Sequence, residues 1–379
     1  MKSEQEPPGV IVLYNDTEDL IKGEARDLLA ERGVIACAHA IADALAENGY
    51  RIVRLPFQED VELALSPYPP DQWVIFNLGE GLSGRLFEEA RIAYALEAMG
   101  YTFTGSDGSA HARCLNKAHA KKLLAAKNVQ IPTGFLFRHP DEIKEMNGKL
   151  PFPLIVKPVA EGGSIGLDAD AVVHTKRALS ERVDYITSCY RQAALAESFI
   201  DGREFNIALW GNPPQVLPLA EIDFSAFSDP HERIVSFSAK WEEDSFEYQN
   251  TPVVCPAQVS SRLSQRITQT AKRAWDAMGC RGYARVDMRV SKNEIPYVVE
   301  VNCNPDLSPD AGFYRAARTA GFSYREMATS ILEIARRQVY VEDRNSIGKR
   351  WTFNFGDNSE GRSFQFNGSK LRRRTMERV

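Results

Sequence analysis

Short apolar runs alternate with stretches of helical periodicity along the first hundred residues. Residues 10–14 and 73–76 are apolar runs of strand length, and residues 51–55 are also predicted to form a strand, whereas residues 34–48 and 85–99 repeat apolar side chains at helical spacing. Gly49 closes the first helical stretch. Strand, helix and strand in this order predict a small parallel sheet.

The same patterns predict helices over residues 109–126, 260–278 and 324–338, and strands over residues 153–158 and on both sides of a turn within 194–209. The first of these helices carries Lys117, Lys121 and Lys122, and most lysines on such a helix are solvated. Beyond about residue 340, aromatic and polar residues alternate around residues 356–361, which predicts a terminal hairpin followed by a basic tail.

Two strand-like stretches, residues 283–290 and 297–302, flank a polar link. Because side chains alternate along a strand, Arg285 and Asp287 share one face, while Val286 and Met288 take the other. In the second stretch strict alternation places Val298, Glu300 and Asn302 on one face, and Tyr297, Val299 and Val301 on the opposite face. If residues 291–296 form a turn, the two polar faces coincide on one sheet.

The coinciding faces would bring a guanidinium, two carboxylates and an amide oxygen together. Oxygen ligands of this kind suit Mg²⁺, which prefers a few carboxylates together with substrate phosphates. A nucleotide site is therefore the first hypothesis. The alternative is an exposed strand face with solvated charges, but the apolar neighbours argue against it, since buried carboxylates need a cation to offset their desolvation.

Composition narrows the class of protein. The 379 residues suit two or three domains, and 26% charged residues, 44% hydrophobic residues and a net charge of −5 are ordinary globular values. We expect no nucleic-acid partner, no membrane segment and a soluble, cytoplasmic protein. Six cysteines without a CxxC pair are expected to be buried free thiols rather than a zinc or disulfide framework, and Cys303 is not expected to be a catalytic thiol.

Three loops carry candidate ligand contacts. Lys157 ends a predicted strand directly before a small, glycine-rich loop with Gly162, Gly163 and Ser164, which could let backbone N–H groups approach phosphates. Glu197 and Glu204 lie between apolar runs, where hydrogen bonds to an adenine amine or to ribose hydroxyls are reasonable. Residues 77–84, which include Glu80, follow a strand and are a candidate pocket wall.

The ordered set of these residues resembles the ATP-grasp superfamily and, within it, D-alanine–D-alanine ligase and related carboxylate–amine ligases. The resemblance runs from about residue 10 to residue 338, and residues 101–106, 153–158, 197–204 and 300–305 carry it. It implies an α/β fold, α+β in the nucleotide-binding part, with a small parallel-sheet domain before two domains that clasp ATP. We place the N-terminal substrate-binding domain at 1–104, the central subdomain at 105–193, the C-terminal subdomain with the metal site at 194–340, and the tail at 341–379.

The resemblance also implies residue roles. ATP would contact Lys117, Lys157, Gly162, Gly163, Ser164, Glu197, Ile200, Glu204 and Lys240, with Glu197 and Ile200 beside adenine and Glu204 on the ribose. Asp287, Glu300 and Asn302 would hold two Mg²⁺ ions, which Mn²⁺ could replace. Arg285 would stabilise the charge that develops during phosphorylation of a carboxylate and attack by an amine, and Lys240 would reach the transferring phosphate. A homodimer is compatible with the family.

The departures from the family pattern fall on the substrate side. D-alanine–D-alanine ligases carry a glutamate, a serine and a tyrosine that hydrogen-bond together near the first substrate, and the matching positions here are Gly33, Gly163 and Trp241. Near the second substrate, Asp306, Ala311 and Gly312 replace the usual Pro-Gly and Ser-Leu pairs. A site that loses a hydrogen-bonding set discriminates against substrates that need it.

The leading hypothesis is therefore an ATP- and Mg²⁺-dependent carboxylate–amine ligase that works through an acyl phosphate on a substrate pair other than D-alanine. A genuine D-alanine–D-alanine ligase with an unusual pocket, a non-catalytic ATP-binding module and a variant that stops at phosphorylation are the alternatives.

Overall fold

The first sheet of the computed structural model, which describes residues 8–81, 85–144 and 150–338, is parallel. Its strands are β1 (Gly9–Asn15), β2 (Ile52–Phe57), β3 (Trp73–Asn77) and β4 (Thr102–Phe103), in the order β2-β1-β3-β4. The helices of this region are α1 (Leu28–Ala46), α2 (Val61–Leu65) and α3 (Glu88–Ala98). Strand β1 is buried along its whole length, as expected for a continuous apolar run at the centre of a parallel sheet. The predicted parallel sheet is confirmed.

A second, antiparallel sheet has the order β5-β8-β6-β7. Its strands are β5 (Gly134–Phe137), β6 (Leu154–Pro158), β7 (Val172–Val173) and β8 (Ala194–Ser198). The associated helices are α6 (Asp141–Lys144) and α7 (Lys176–Cys189), numbered after α4 (Gly108–Leu115) and α5 (Lys117–Ala126), which precede the sheet. Leu179, Val183 and Ile186 of α7 pack on Leu154 and Val156 of β6, which closes a small apolar core.

The third sheet has six strands and carries the predicted hairpin. It comprises β9 (Gly202–Trp210), β10 (Gln215–Val216), β11 (Ala220–Ile222), β12 (Val253–Val254), β13 (Tyr283–Ser291) and β14 (Pro296–Asn302), in the order β12-β11-β9-β13-β14 with β10 on β9. Its helices are α8 (Phe237–Trp241), α9 (Phe246–Gln249), α10 (Ser261–Met278), α11 (Gly312–Thr319) and α12 (Tyr324–Gln338). The strands β8 and β9 on either side of the predicted turn belong to different sheets.

The predicted helix over residues 109–126 is two helices, because Asn116 interrupts it. Asn116 has an extended backbone (φ −95°, ψ 99°), and its side chain accepts a hydrogen bond from the backbone N–H of His119 at the start of α5. An asparagine in this role caps a helix better than it continues one. The break reorients the second half, so that Lys117 and Lys121 become buried while Lys122 stays exposed. The expectation that these lysines are mostly solvated is therefore wrong for two of the three.

The hairpin pairs as predicted near the polar residues but not throughout. Arg285 lies opposite Asn302 and Asp287 opposite Glu300, and a β-bulge follows, because Met288 pairs with Val298 rather than Val299. The bulge interrupts strict alternation. Val298 therefore joins Val301 in the core, whereas Val299 lines the same cavity as Glu300 and Asn302. The predicted placement of Val298 and Val299 was wrong for this reason.

The described residues up to 336 form one compact unit, and the domain boundaries predicted within it stay a prediction. The predicted terminal hairpin and basic tail lie outside the described residues. Across the described parts of the chain, the helices are too short or too polar to serve as membrane spans.

Candidate active site

A cavity of about 800 Å³ opens between the edges of these sheets. It brings together every site residue named from the sequence, on the nucleotide, metal and substrate sides alike. Residues that are far apart in the chain, such as Gly33, Lys157 and Gly312, share its wall. The individual roles of these residues stay predictions, but their convergence allows the chemistry of each wall to be examined.

Asp287 is the centre of the hairpin wall. Arg285 donates to both of its carboxylate oxygens, from Nε at 2.7 Å and from a terminal nitrogen at 2.8 Å. The amides of Asn206 and Asn302 also donate to it, at 2.8 and 2.9 Å. Although burial opposes ionisation of Arg285, the neighbouring Asp287 raises the pKa of the guanidinium above its ordinary value. Asn206, on β9, was not identified from the sequence, and only the pairing of β9 with β13 brings it here.

Glu300 is held by a lysine from the other side of the cavity. The Nζ atom of Lys117 lies 2.5 Å from Oε1 of Glu300 and also donates to the backbone carbonyl of Glu161. Burial alone would raise the pKa of Glu300, but Lys117 and Lys157 keep it below the ordinary value. The carboxylate is therefore ionised at neutral pH and already compensated by a cation.

The buried carboxylate of Glu197, on β8, contacts two lysines, one on α5 and one on β6. Glu197 is 1% exposed, and its oxygens lie 2.9 Å from Nζ of Lys121 and 2.8 Å from Nζ of Lys157. Burial opposes the charge, yet the two lysines lower the pKa of Glu197 to about 2. Burial lowers the pKa of Lys121 to about 8, whereas Glu197 outweighs burial at Lys157 and raises its pKa. Lys121 was missed as a site residue, although its i, i+4 spacing from Lys117 places both on one helix face.

Glu204 has a partner that sequence reasoning also missed. Arg289 donates to Oε2 of Glu204 at 2.8 Å and to the carbonyl of Ile200 at 3.1 Å. Its guanidinium lies over the ring of Phe199, 5.1 Å from the centroid. Burial raises the pKa of Glu204 even though Arg289 acts in the opposite direction. The period of two from Arg285 through Asp287 to Arg289 was the available signal.

The glycine-rich loop lines the cavity. Gly163 and Ser164 both have positive φ, 60° and 61°, so the loop turns sharply there. The hydroxyl of Ser164 donates to the carbonyl of Val235 at 2.8 Å, which joins the loop to the segment before α8. A loop so connected can cover the phosphates of a nucleotide and limit entry of water.

Gly33 and Gly163, two of the positions that differ from the family pattern near the first substrate, both lie against the third, Trp241. Trp241 donates from Nε1 to the carbonyl of Gly163 at 2.7 Å. A Cβ atom added at Gly33 would lie only 2.8 Å from Cζ3 of Trp241, so the indole occupies the space beside this glycine. Lys240, the neighbour of Trp241, holds its ammonium 4.7 Å from the indole centroid. An aromatic side chain therefore fills the position that a polar group at residue 33 would need.

The opposite end of the cavity is formed by the segment before α11. Asp306 accepts hydrogen bonds from the backbone N–H of Ser308 at 2.9 Å and from its hydroxyl at 2.6 Å. Ala311 is the N-cap of α11, and Gly312 begins it beside Asn206. Because the first N–H groups of a helix lack internal partners, this end of α11 can receive an anionic group.

Two carboxyl groups that line the cavity, those of Glu31 and Glu80, have pKa values above the ordinary value. Burial raises the pKa of Glu31 to about 7. Burial and the nearby Asp306 raise the pKa of Glu80 to about 8, against the effect of Lys240. Glu31 was not identified from the sequence, although it lies two residues before Gly33. A cationic ligand group placed beside these side chains would favour their ionised forms.

Lysines and a glycine-rich loop line the same cavity as acidic and amide oxygens on two adjoining strands, which is the arrangement expected of an ATP-grasp enzyme. A family model described as "D-ala D-ala ligase C-terminus" matches residues 127–333. The chain therefore belongs to the D-alanine–D-alanine ligase family, and it is an ATP-binding ligase that forms a carbon–nitrogen bond.

Similar chains and structures agree with this family. The chain is 32% identical over 310 residues to an uncharacterised protein, y4sG, of Sinorhizobium fredii, covering 80% of this chain and 88% of that protein. It is 30% identical to a D-alanine–D-alanine ligase of Desulforudis audaxviator, covering 82% and 96%. The structure of the D-alanine–D-alanine ligase of Bacillus anthracis complexed with ATP superposes with a TM-score of 0.67 at 21% identity, covering 88% of this chain and 99% of that one. The structure of the VanG D-Ala:D-Ser ligase of Enterococcus faecalis superposes with a TM-score of 0.64 at 18% identity, covering 86% of this chain and 99% of that one. These structures confirm the predicted ATP-grasp fold.

Proposed function

We propose that the protein uses ATP and Mg²⁺ to join a carboxylate to an amine through an acyl phosphate, and that its substrate pair is not two molecules of D-alanine. The observation that carries this proposal is the contrast between the two sides of one cavity. Charged groups suited to ATP line one side, while an indole packed against two glycines occupies the position of the family's polar substrate contacts.

The donor set fits magnesium. Asp287, Glu300 and Asn302 lie on facing strands and offer only oxygen ligands, the type that Mg²⁺ prefers. Both carboxylates are now compensated by a cation, Asp287 by Arg285 and Glu300 by Lys117. These three residues would hold two Mg²⁺ ions, whose chemistry is to neutralise the charge on the phosphates during transfer.

Lysines and Arg285 would supply the remaining charge. Lys117 and Lys157 are buried at the cavity wall, where each would bind phosphate oxygens, and Lys240 would reach the phosphate in transfer. Arg285 would face the substrate carboxylate and stabilise the oxyanion formed when the amine attacks the acyl phosphate. Phosphoryl transfer depends on such positioning and charge compensation rather than on a covalent enzyme intermediate.

The glycine-rich loop would protect the acyl phosphate. An activated carboxylate is hydrolysed if water reaches it, so the loop around Gly162 and Ser164 must cover the site during the reaction. Its connection to Val235 supports this role, since it places the loop against the same segment that leads to Lys240.

The region around Trp241 argues against D-alanine as first substrate. In the family pattern, a glutamate at the position of Gly33 contacts the ammonium of that substrate. No side chain extends from residue 33 here, and the indole lies in the adjoining space. We infer a first substrate that presents an apolar group to Trp241, rather than an ammonium group that needs a hydrogen-bonding partner there.

The acceptor end supports an anionic or polar amine substrate. The N-terminus of α11 and Arg315 line this part of the cavity, and both favour a carboxylate. Asp306 adds a negative charge that the family's Pro-Gly pair lacks. An amine substrate that carries both a carboxylate and a second polar group would satisfy this end better than D-alanine.

The test is a product assay with a panel of amino acids and small carboxylates. Purified protein, ATP and Mg²⁺ are incubated with pairs of candidates, and ADP, phosphate and the ligated product are measured. We expect ADP and phosphate in equal amounts with a non-alanine pair, and background release with saturating D-alanine. Formation of AMP and pyrophosphate, or turnover without a divalent metal, would refute the mechanism. Efficient ligation of two D-alanines would refute the substrate proposal alone.

A further inference from the structure

Three of the six cysteines, which lie far apart in the sequence, meet beside the cavity. Cys114 lies in the last turn of α4, Cys280 follows the Gly279 cap of α10, and Cys303 comes directly after β14. All three are buried, with exposed fractions of 8%, 8% and 3%. The ligase chemistry proposed above gives none of them a role.

The sulfur atoms are closer than ordinary packing requires. The Sγ atoms of Cys114 and Cys303 lie 3.0 Å apart, those of Cys280 and Cys303 lie 3.6 Å apart, and all three lie within 4.8 Å of one another. In a tetrahedral site with Zn–S bonds of about 2.3 Å, neighbouring sulfurs are separated by about 3.8 Å. Outward shifts of less than about 1 Å would bring this cluster to that geometry.

We propose that Cys114, Cys280 and Cys303 bind one Zn²⁺ ion as thiolates, in a structural site separate from the magnesium site. Soft sulfur ligands select thiophilic metals, whereas the oxygen ligands of the neighbouring hairpin select Mg²⁺. Binding releases the three thiol protons to solvent as the Zn–S bonds form. A disulfide would use only two of the three sulfurs and leave the approach of the third unexplained.

A histidine with the chemistry of a fourth ligand lies on the same helix as Cys114, but its ring nitrogens are outside the 4.8 Å group of the three sulfurs, so its side chain would have to shift to bind the same ion. His111 is one helical turn before Cys114 on α4 and is 1% exposed. Its Nδ1 atom lies 3.2 Å from Oε2 of Glu89, which leaves Nε2 as the ring atom able to bind a metal. A carboxylate on the other ring nitrogen is the usual support of a zinc-binding histidine.

The position of the cluster gives the ion a consequence for the enzyme. Cys303 is the residue after Asn302, and it joins β14 to α4 and to the end of α10. A zinc ion there would fix the end of β14 and hence the position of the Asn302 amide, without touching the reacting atoms. The three cysteines are therefore positioning residues in this proposal.

The first test is metal analysis of the full chain, purified without a metal-affinity tag and without chelator. We expect about one zinc per chain, retained in the presence of excess Mg-ATP. Titration with p-hydroxymercuribenzoate should release this zinc to a chromogenic chelator as the cluster thiols react. Substitution by Co²⁺ should give the sulfur-to-cobalt charge-transfer and d–d bands of a tetrahedral thiolate site.

Variants separate the cluster from other buried thiols. Cys303→Ser and Cys280→Ser should reduce bound zinc at least tenfold, whereas Cys37→Ser, which changes an equally buried cysteine in another core, should keep it. Less than about 0.1 zinc per unmodified chain would overturn the proposal. So would four rather than six free thiols after denaturation without reductant, because that count means a disulfide. Both of these measurements use the unmodified chain, so they remain decisive if a variant does not fold.

Discussion

Replacing Glu197 by glutamine tests the charge arrangement of the cavity wall that we propose binds ATP. The carboxylate is 1% exposed and contacts two lysines that are themselves buried, Lys121 at 2.9 Å and Lys157 at 2.8 Å. Glutamine keeps the size but removes the charge and replaces one acceptor oxygen with an NH2 donor, so it can accept from only one of the two lysines. Two buried ammonium groups are then left without a counter-ion, apart from the more distant carboxylates of the cavity.

The size of the effect follows from the acidity of Glu197. Burial opposes its charge, but the lysines lower its pKa from 4.5 to about 2. At about 1.4 kcal/mol per pKa unit, the ionised form is favoured in the folded chain by about 3 kcal/mol. Removing one partner of a buried ion pair typically costs about 3–5 kcal/mol, which is the same range. We therefore expect Glu197→Gln to lower the free energy of unfolding by about 3 kcal/mol at pH 7.

Denaturant unfolding at several pH values measures this contribution. Because the folded pKa of Glu197 lies below its unfolded value, the stabilisation is fully present above pH 4.5 and is lost as the pH falls toward 2. The difference between the unmodified chain and Glu197→Gln should therefore shrink over that interval. The denaturant slope should stay the same in both proteins, since the surface exposed on unfolding does not change.

An ion pair nearer the surface provides the control. Glu221 accepts two hydrogen bonds from Arg203, at 2.5 Å each, but the arginine side chain is 40% exposed. Glu221→Gln should cost less than about 1 kcal/mol, because exposed pairs contribute little. If Glu197→Gln costs no more than Glu221→Gln at pH 7, the argument from burial and paired charge is wrong.

Three further predictions concern the remaining walls of the cavity. Arg285→Ala should lower kcat at least about 10²–10³-fold in an ADP-release assay with the pair found in the screen, and a loss under threefold would exclude an oxyanion role. Gly33→Ala should lower the free energy of unfolding by about 1–2 kcal/mol, because the added methyl group meets the indole of Trp241. In a Trp241→Ala background the same change should stabilise the protein by about 0.5 kcal/mol, since alanine is the better helix former. Equal effects in both backgrounds would rule out the contact. Burial raises the pKa of Glu80 to about 8, so its stabilising contribution is present below pH 4.5 and is lost as the pH rises through 8. Glu80→Gln should therefore raise the unfolding free energy by about 1–3 kcal/mol at pH 8.5 but little at pH 5, and the same gain at both pH values would contradict this.

The hairpin shows how far alternation alone can predict a site. The period of two correctly places Arg285 and Asp287 on one face and Val286 and Met288 in the core. It fails at Val298 and Val299, before Glu300, because one extra residue in β14 shifts the register by one position. A bulge depends on the partner strand, and the sequence of β14 by itself contains no signal for it.

The lysines of α5 show a second limit. Periodicity predicted one helix across residues 109–126 and solvent for most of its lysines, yet the Asn116 cap divides the helix and turns Lys121 inward. The capping preference of asparagine was a usable local signal. The carboxylate that receives Lys121 comes from β8, seventy-six residues later in the chain, and that partner could not be predicted from spacing.

Contacts between segments that are distant in the sequence could not be predicted from the sequence alone. The cysteines show this most clearly, because no CxxC spacing connects Cys114, Cys280 and Cys303, and the sequence predicted only buried thiols. Burial was correct for these three and for Cys37, but wrong for Cys189 and Cys255, which are only partly buried. The convergence of the three depends on how α4 and α10 pack on the third sheet. Gly33 and Trp241 likewise meet only because α1 and α8 face the same cavity.

The ion pairs in the cavity suggest how the site tolerates so much buried charge. Lys117 contacts Glu300, and Arg285 contacts Asp287, so each carboxylate among the proposed metal ligands already has a positive partner. When Mg-ATP binds, the metal would take over the carboxylates and the phosphates would take over the lysine, so that partners are exchanged rather than gained or lost. Since an uncompensated buried charge costs several kcal/mol, this exchange keeps both the empty and the loaded states stable. It also requires Lys117 to leave Glu300 during binding, so Lys117→Met should weaken Mg-ATP binding through lost phosphate contact while leaving Glu300 free to bind the metal.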